Sequence, residues 1–164
     1  MDVQEKEKRA IVEAEPGDDL GSSEWVTITQ AMIDHFGTAT LDDDPMHADP
    51  KWAAEQGPFD TTVAYGFLTM SLLTHMLHSA LNDGPARDPA KTGYFLNFGF
   101  NRMRLVAPVP VGSRVRGKFR MAERSRDRAG RTRLGISVEV EIEGEARPAL
   151  AGIWLAVWVP PSHG

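Results

Sequence analysis

The fold is decided by residues 66–81, which read GFLTMSLLTHMLHSAL. The stretch opens on Gly66, contains no proline and none of the four charged residue types, and has apolar side chains around most of a helical circumference. A helix on a protein surface keeps one polar face, so this pattern predicts a long helix from Gly66 to about Leu81 that other elements enclose. The stretch is shorter than the roughly 18 residues of a membrane span.

The sequence after this helix is typical of antiparallel β-strands. Apolar residues at 115, 117, 119 and 121 alternate with basic ones, and apolar residues at 136, 138, 140 and 142 alternate with Ser137 and three glutamates. A turn near residues 127–130 joins the two strands as a hairpin in which Arg116 and Lys118 face Glu141 and Glu139. Each such cross-strand pair contributes about 0.2–1 kcal/mol. The basic alternation is therefore expected to be a solvated sheet face.

Two further strands complete the predicted sheet, one over residues 94–106 and one over 149–159, which is apolar on both faces and needs a covering layer. A helix followed by such strands indicates an α+β fold in which an antiparallel sheet is wrapped around a central helix. The length of 164 residues fits one domain. We expect residues 1–22 to be a flexible lead-in and residues 23–160 to form the domain.

Shorter elements are predicted before the central helix. A strand is expected over Trp25–Thr29, and Thr29 then caps a helix to about Phe36. Residues 37–49 are rich in Gly, Thr, Asp and Pro and are expected to be irregular. A short helix follows, capped by Asp49 with Pro50 in its first turn.

Composition excludes several classes of protein. The chain has no cysteine, which excludes disulfides, thiolate zinc sites and a cysteine nucleophile. Its net charge of -5 argues against nucleic-acid binding. The charged N-terminus is unlike a signal peptide and no apolar run is long enough to span a membrane, so a cytoplasmic location is expected.

The chemistry is concentrated in the segment Asp42-Asp43-Asp44-Pro45-Met46-His47. A carboxylate and an imidazole in one loop can orient a water molecule and move protons. The residues alone also fit an acidic, solvated loop, or a metal site formed by Asp44, His47 and Asp49. A calcium loop is rejected because its required glycine and glutamate are replaced by His47 and Ala53, and no serine nucleophile elbow is present.

A second candidate feature is the start of the long helix, at Tyr65-Gly66. The first N–H groups of a helix have no intrahelical partner, and Gly66 lets a carbonyl oxygen approach closely. Such an N–H could stabilise the negative oxygen of an enolate-like transition state; the alternative is a glycine required for packing. Ser71 and Thr74 either support the site or bond back to their own helix, and Asn97 either satisfies a buried group or points into the site.

Taken together, these segments resemble the MaoC-like dehydratases, which include the R-specific enoyl-CoA hydratases. The resemblance covers roughly residues 25–157 and is carried by Ile28-Thr29-Gln30, by the runs 42–50 and 63–73, and by Gly57-Pro58-Phe59. Residues 97–104 and 107–113 are especially similar to the nodulation-protein-N-like branch. In this chain Leu41 and Tyr65 replace the glycine and the histidine that the family often has at these positions.

The resemblance implies a hotdog fold, a homodimer, and a hydro-lyase that interconverts trans-2-enoyl-CoA, or another acyl thioester, with the (R)-3-hydroxyacyl thioester. It implies no metal and no redox cofactor, with acyl-CoA or an acyl-carrier thioester as the substrate. Carried over by position, the catalytic pair is Asp42 and His47, and the oxyanion donor is the N–H of Gly66. Tyr65 and Asn97 are further candidates for substrate binding, and the supporting hydroxyl falls on Thr74 or Ser71. Asp44 remains a rival to Asp42, and a thioesterase and a non-catalytic acyl-binding protein are the alternative functions.

Overall fold

The computed structural model describes residues 11–82, 93–128 and 130–160. Within them the helices are α1 (Gln30–Thr40), α2 (Pro45–Ala48), α3 (Pro50–Gln56), α4 (Gly66–Ser71) and α5 (Leu73–Leu81). The strands are β1 (Asp19–Ser22), β2 (Val26–Thr27), β3 (Tyr94–Leu105), β4 (Arg114–Arg126), β5 (Thr132–Ile142) and β6 (Leu150–Val159). The predicted α+β class is confirmed.

The strands form one antiparallel sheet in the order β1-β4-β5-β6-β3, with β2 also paired to β4. The predicted hairpin of β4 and β5 is confirmed residue by residue, because Arg116 pairs with Glu141 and Lys118 with Glu139. Arg116 and Lys118 both form ion pairs with the carboxylate of Glu141. Burial alone would raise the pKa of Glu141, but the hydrogen bonds from Lys118 and Arg116 outweigh it and lower that pKa.

Helix α5 packs on the inner face of the sheet, against β1 and β4. Its buried side chains, Leu73, Met76, Leu77 and Ala80, belong to the same core as the inward residues of β4 and β5. Gly117 on β4 lets the helix come close, since a Cβ at that position would lie 3.1 Å from the Cβ of Met76. The helix and the sheet that wraps it are therefore one core.

The predicted helix over residues 66–81 differs from the structure in two respects. It is interrupted at Leu72, whose N–H bonds to the carbonyl of Leu68 while helical bonding resumes with Met76 N–H to Leu72 O. It is also not enclosed on all sides: Phe67 is 70% exposed, and Ser71 and Thr74 are exposed as well. One face of the helix is thus uncovered in the single chain.

Two predicted boundaries before this helix were wrong. Helix α1 does not end near Phe36 but continues through Gly37 to Thr40, where the Thr40 hydroxyl bonds to the Phe36 carbonyl. The segment expected to be irregular also contains α2, capped by Asp44. Turn-forming composition does not preclude a helix when a side chain caps it. The predicted caps Thr29 and Asp49 are confirmed.

The N-terminal boundary at residue 23 also needs correction for the described part. Residues 11–13 form a 3-10 turn, Ile11 and Ala14 are buried in the core, and β1 hydrogen-bonds to β4. Core contacts and strand pairing therefore fix residues 11–22 to the domain. The rest of the predicted lead-in, residues 1–10, lies outside the described residues.

Strand β3 forms one edge of the sheet and has two β-bulges, one between Asn97 and Gly99 and one between Asn101 and Arg104. At the bulges Gly99 has φ 149° and Arg102 has φ 53°. Several large apolar side chains of this strand are 43–56% exposed, namely Tyr94, Leu96, Phe98 and Phe100. This edge is thus both apolar and unpaired in the described chain.

None of the helices in the described ranges combines the length and the apolar character that crossing a membrane requires.

Candidate active site

The turn between α1 and α2 positions the carboxylates of Asp42 and Asp44. Leu41 ends α1 in the left-handed conformation, with φ 59°. One carboxylate oxygen of Asp42 then accepts the Asp44 N–H at 3.2 Å, and one of Asp44 accepts the Met46 N–H at 2.9 Å. Asp44 therefore serves as the N-cap of α2, whereas Asp42 lies outside the helix on the exposed loop.

His47 occupies α2 and is half-buried. Its Nδ1 lies 2.7 Å from the main-chain oxygen of Val63. A carbonyl oxygen can only accept a hydrogen bond, so Nδ1 carries the proton in this pair. The neutral imidazole then has its lone pair on Nε2, which is the form needed to take a proton from water.

The backbone of His47 is held by Gln30. The Gln30 amide donates to the His47 carbonyl at 2.9 Å and accepts from the Thr62 hydroxyl at 2.6 Å. Thr62 is buried. Neither residue was identified from the sequence, because a lone glutamine at a helix start and a lone threonine in a loop follow no period. The fixed backbone restricts where the imidazole can lie.

A cavity of about 250 Å³ lies beside His47. Its walls are mostly apolar, and the residues that line it are Met46, His47, Phe59, Val63, Ala64, Gly66, Thr69, Leu105, Val106, Ala107, Pro108, Val109 and Ala149. An apolar cavity with few polar groups is typical of a small-molecule site. His47 and Gly66, predicted from separate parts of the sequence, are therefore brought to one cavity, while Asp42 is outside its lining.

Gly66 begins α4 and borders the cavity. A Cβ at this position would collide with the side chain of Leu105, which lines the same cavity. A larger residue would have to displace the Leu105 side chain, which agrees with the packing role that one of the two sequence interpretations gave this glycine. Its place in the first turn of the helix is also compatible with an N–H directed at a ligand.

Tyr65, expected to bind substrate, instead packs behind the cavity. It is 4% exposed, its hydroxyl donates to the main-chain oxygen of Asp42 at 2.6 Å, and its ring centroid lies 3.9 Å from that of His47. Burial raises the pKa of the Tyr65 hydroxyl above its ordinary value of 10.0, and the negative charges of Asp42 and Asp44 raise it further. The phenol therefore remains a hydrogen-bond donor at neutral pH.

The other predicted polar residues are not among those that line the cavity. The Ser71 hydroxyl donates to the Phe67 carbonyl at 2.7 Å, within its own helix, and Thr74 is exposed on α5. The Asn97 side chain accepts the indole N–H of Trp154 at 3.0 Å. These are the structural roles that sequence analysis left open for Ser71 and Asn97.

Thr69 was missed although it borders the cavity and is 2% exposed. It lies three residues after Gly66, so helical spacing places the two on one face. That spacing could have identified it. Its hydroxyl donates to the Tyr65 carbonyl across 3.5 Å.

The alternative metal site of Asp44, His47 and Asp49 finds no support in the geometry. Asp44 and Asp49 each use a carboxylate oxygen to cap a helix, and the Nδ1 of His47 faces a carbonyl. In the described ranges no three His, Cys, Asp or Glu side chains are grouped as metal ligands.

Comparison with known proteins adds independent information. The family described as "MaoC like domain" matches residues 12–143. Nodulation protein N of Rhizobium meliloti (strain 1021) is 42% identical over 141 residues, which cover 86% of this chain and 84% of that protein. 3-Hydroxyacyl-thioester dehydratase Z of Mycobacterium tuberculosis (strain CDC 1551 / Oshkosh) is 39% identical over 143 residues, which cover 87% of this chain and 90% of that protein.

A solved structure has the same fold at low sequence identity. The (R)-hydratase from A. caviae involved in PHA biosynthesis superposes with a TM-score of 0.68 at 20% identity. The match covers 88% of this chain and 96% of that one. The predicted hotdog fold is confirmed by this likeness and by the antiparallel sheet packed on a central helix.

Proposed function

The chain belongs to the MaoC-like domain family and is a hydro-lyase, and from this premise we propose that it reversibly hydrates trans-2-enoyl thioesters to (R)-3-hydroxyacyl thioesters. The observation that carries the proposal is that His47, with its Nε2 free to accept a proton, and Gly66 border one apolar cavity. An apolar wall suits an acyl chain.

In the proposed reaction a water molecule binds between Asp42 and His47. The water oxygen bonds to C3 as the C2–C3 π bond breaks, and one proton of the water passes to Nε2 of His47. The displaced electron pair moves onto the thioester oxygen, where the N–H of Gly66 stabilises the negative charge. A proton returned from the Asp42–His47 pair to C2 completes the addition, so water and the protein groups supply every atom that moves.

Asp42 is preferred to Asp44 as the partner of His47. Asp44 caps α2 through its side chain and accepts the N–H groups of His47 and Ala48 through its carbonyl. Its position is therefore set by the helix. The exposed carboxylate of Asp42 makes a weaker contact at 3.2 Å. The main-chain oxygen of Asp42 accepts the Tyr65 hydroxyl, and the Tyr65 ring packs on His47.

We also propose a homodimer that uses the edge strand β3. The exposed large apolar side chains on this strand, which include Leu105, and the exposed Phe67 are costly to leave in water. A second copy would cover them and pair the open edge.

The assay for the proposed function follows crotonyl-CoA in two channels, the enoyl absorbance and the release of free thiol. Loss of absorbance without thiol is the expected result. Thiol release would instead identify a thioesterase. Neither signal, across a series of acyl chain lengths and with carrier-protein thioesters, would refute the proposed reaction.

A further inference from the structure

We propose that Tyr65 is a positioning residue that fixes the loop carrying Asp42 and the imidazole of His47 relative to each other. The inference rests on the proposed function, since it gives Tyr65 its role through the two groups assigned to catalysis. It departs from the expectation that this side chain binds substrate, because Tyr65 is not part of the cavity wall.

The hydroxyl of Tyr65 fixes the loop. It donates to the main-chain oxygen of Asp42 at 2.6 Å, and the N–H of Asp42 donates to the Gly37 carbonyl at 3.0 Å. Both peptide groups of Asp42 are therefore held. This restraint is needed because Leu41, the preceding residue, is 92% exposed and left-handed, a conformation that costs about 1 kcal/mol outside glycine.

Gly37 makes room for this hydrogen bond. A Cβ on Gly37 would lie 2.5 Å from the Tyr65 hydroxyl oxygen and 2.8 Å from the Asp42 carbonyl oxygen. Any larger residue must displace one of the two partners. The glycine inside α1, where it weakens the helix, is thus explained by the contact between Tyr65 and Asp42.

The ring of Tyr65 fixes the imidazole. The two rings are tilted by 35° with centroids 3.9 Å apart, and Phe36 packs on Tyr65 at 5.3 Å. The bond from Nδ1 to Val63 restrains His47 in its own plane, and Tyr65 restrains it from one face. Together they set the direction of Nε2. Val63 and Tyr65 belong to one segment, residues 63–66, which also presents Gly66 to the cavity.

The two contacts can be removed separately. Tyr65→Phe deletes the bond to Asp42 and keeps the ring, whereas Tyr65→Leu deletes both. Because misplacement of about 1 Å can cost a hundredfold in rate, we expect kcat to fall about tenfold in Tyr65→Phe and about a hundredfold in Tyr65→Leu, with KM nearly unchanged. The matched control is Ser137→Ala, which deletes an exposed hydroxyl on β5.

Gly37→Ala tests the hydroxyl contact from the opposite side. It should lower kcat as Tyr65→Phe does, and it should have a smaller effect when introduced into Tyr65→Phe, where the hydroxyl is already gone. Full additivity of the two changes would contradict the shared contact.

A spectroscopic readout separates this inference from the proposed function. In ¹⁵N-labelled protein the imidazole resonances of His47, identified by their loss in His47→Gln, should keep the ring-current shift in Tyr65→Phe and lose it in Tyr65→Leu. Wild-type protein that hydrates no enoyl thioester would refute the proposed function and leave the imidazole contact to be judged by these spectra. An active wild type whose Tyr65→Phe and Tyr65→Leu variants keep full kcat, or change KM alone, would overturn the positioning role.

Discussion

The imidazole Nδ1 of His47 lies 2.7 Å from the main-chain oxygen of Val63, and this contact assigns the two ring nitrogens different tasks. Nδ1 is tied to the protein as a donor, and Nε2 is left for proton transfer. The distinction can be tested because the amide nitrogen of an asparagine can replace the ring Nδ1 without replacing Nε2.

His47→Asn places an amide N–H near the position of Nδ1 and has nothing at Nε2. We expect it to keep the Val63 bond and the thermal stability of the wild type while kcat falls by about 10²–10⁴, the usual contribution of acid–base catalysis. Enoyl-CoA turnover and a thermal melt check this. Substantial activity in His47→Asn would show that Nε2 is not the proton acceptor.

Asp42 and Asp44 should respond differently to the same chemical change. Asp44→Asn retains a good N-cap, so its stability and turnover should stay close to wild type. Asp42→Asn should reduce kcat by about 10² or more without unfolding the protein. If turnover is instead lost in Asp44→Asn and kept in Asp42→Asn, the catalytic carboxylate is Asp44.

The N–H of Gly66 can be removed with little change to the backbone. Tyr65 has φ -57° and ψ 135°, which a following proline tolerates, and proline is accepted at the first position of a helix. The test compares Gly66→Ala with Gly66→Pro, and both variants also carry Leu105→Ala. The second change removes the side chain that a Cβ at position 66 would collide with. An oxyanion role predicts that proline costs about 10²–10³ in kcat relative to alanine. Equal rates would leave Gly66 a packing residue.

Glu141 should make the free energy of unfolding depend on pH in the acid range. Its folded-state pKa lies below the ordinary 4.5, so its contribution is fully present above the unfolded-state pKa and is lost as pH falls through the folded-state value. Glu141→Gln should thus lower the free energy of unfolding by about 1 kcal/mol at pH 7, and the difference from wild type should shrink below pH 4. Urea titrations of both proteins at pH 7 and below pH 4 measure this difference in the free energy of unfolding. A difference independent of pH would assign the effect to packing.

The proposed dimer gives a further prediction. Light scattering on the wild type should give about twice the chain mass of 18.1 kDa. Leu96→Lys, on the exposed edge strand, should shift the protein toward a monomer, because a buried unpaired charge is costly. The control Asp19→Lys lies on β1, at the opposite edge of the sheet. If Asp19→Lys alone became a monomer, the interface would lie at the β1 edge and the proposed dimer would be wrong.

Sequence periodicity specified the hairpin because its signal is local. Alternation predicts which residues of β4 and β5 point inward, and opposite charges predict the register, so the pairing of Arg116 with Glu141 follows from the sequence and is confirmed by the structure. Strand β1 was missed because Asp19–Ser22 contains a glycine and no β-branched residue. Its strand state comes from tertiary pairing with β4.

The candidate site was predicted only where a local pattern marks a residue, such as the Asp42–His47 spacing within one loop or the glycine that begins an apolar helix. Asp42, His47 and Gly66 carry recognisable spacing, and two of them border one cavity. The bond from Tyr65 to Asp42 spans 23 positions, and the support of His47 by Gln30 spans 17. Contacts at such separations depend on how the chain folds back, which a local pattern does not encode.

The two bulges of β3 bear on how readily the protein aggregates through its open sheet edge. A flat apolar border would accept any extended chain and extend into a fibril. Gly99 and the left-handed Arg102 break the regular spacing of donors and acceptors along this border. A stray strand would find matching partners over only a few residues between the bulges. The same irregularities that bend β3 thus guard its exposed side against amyloid-like growth.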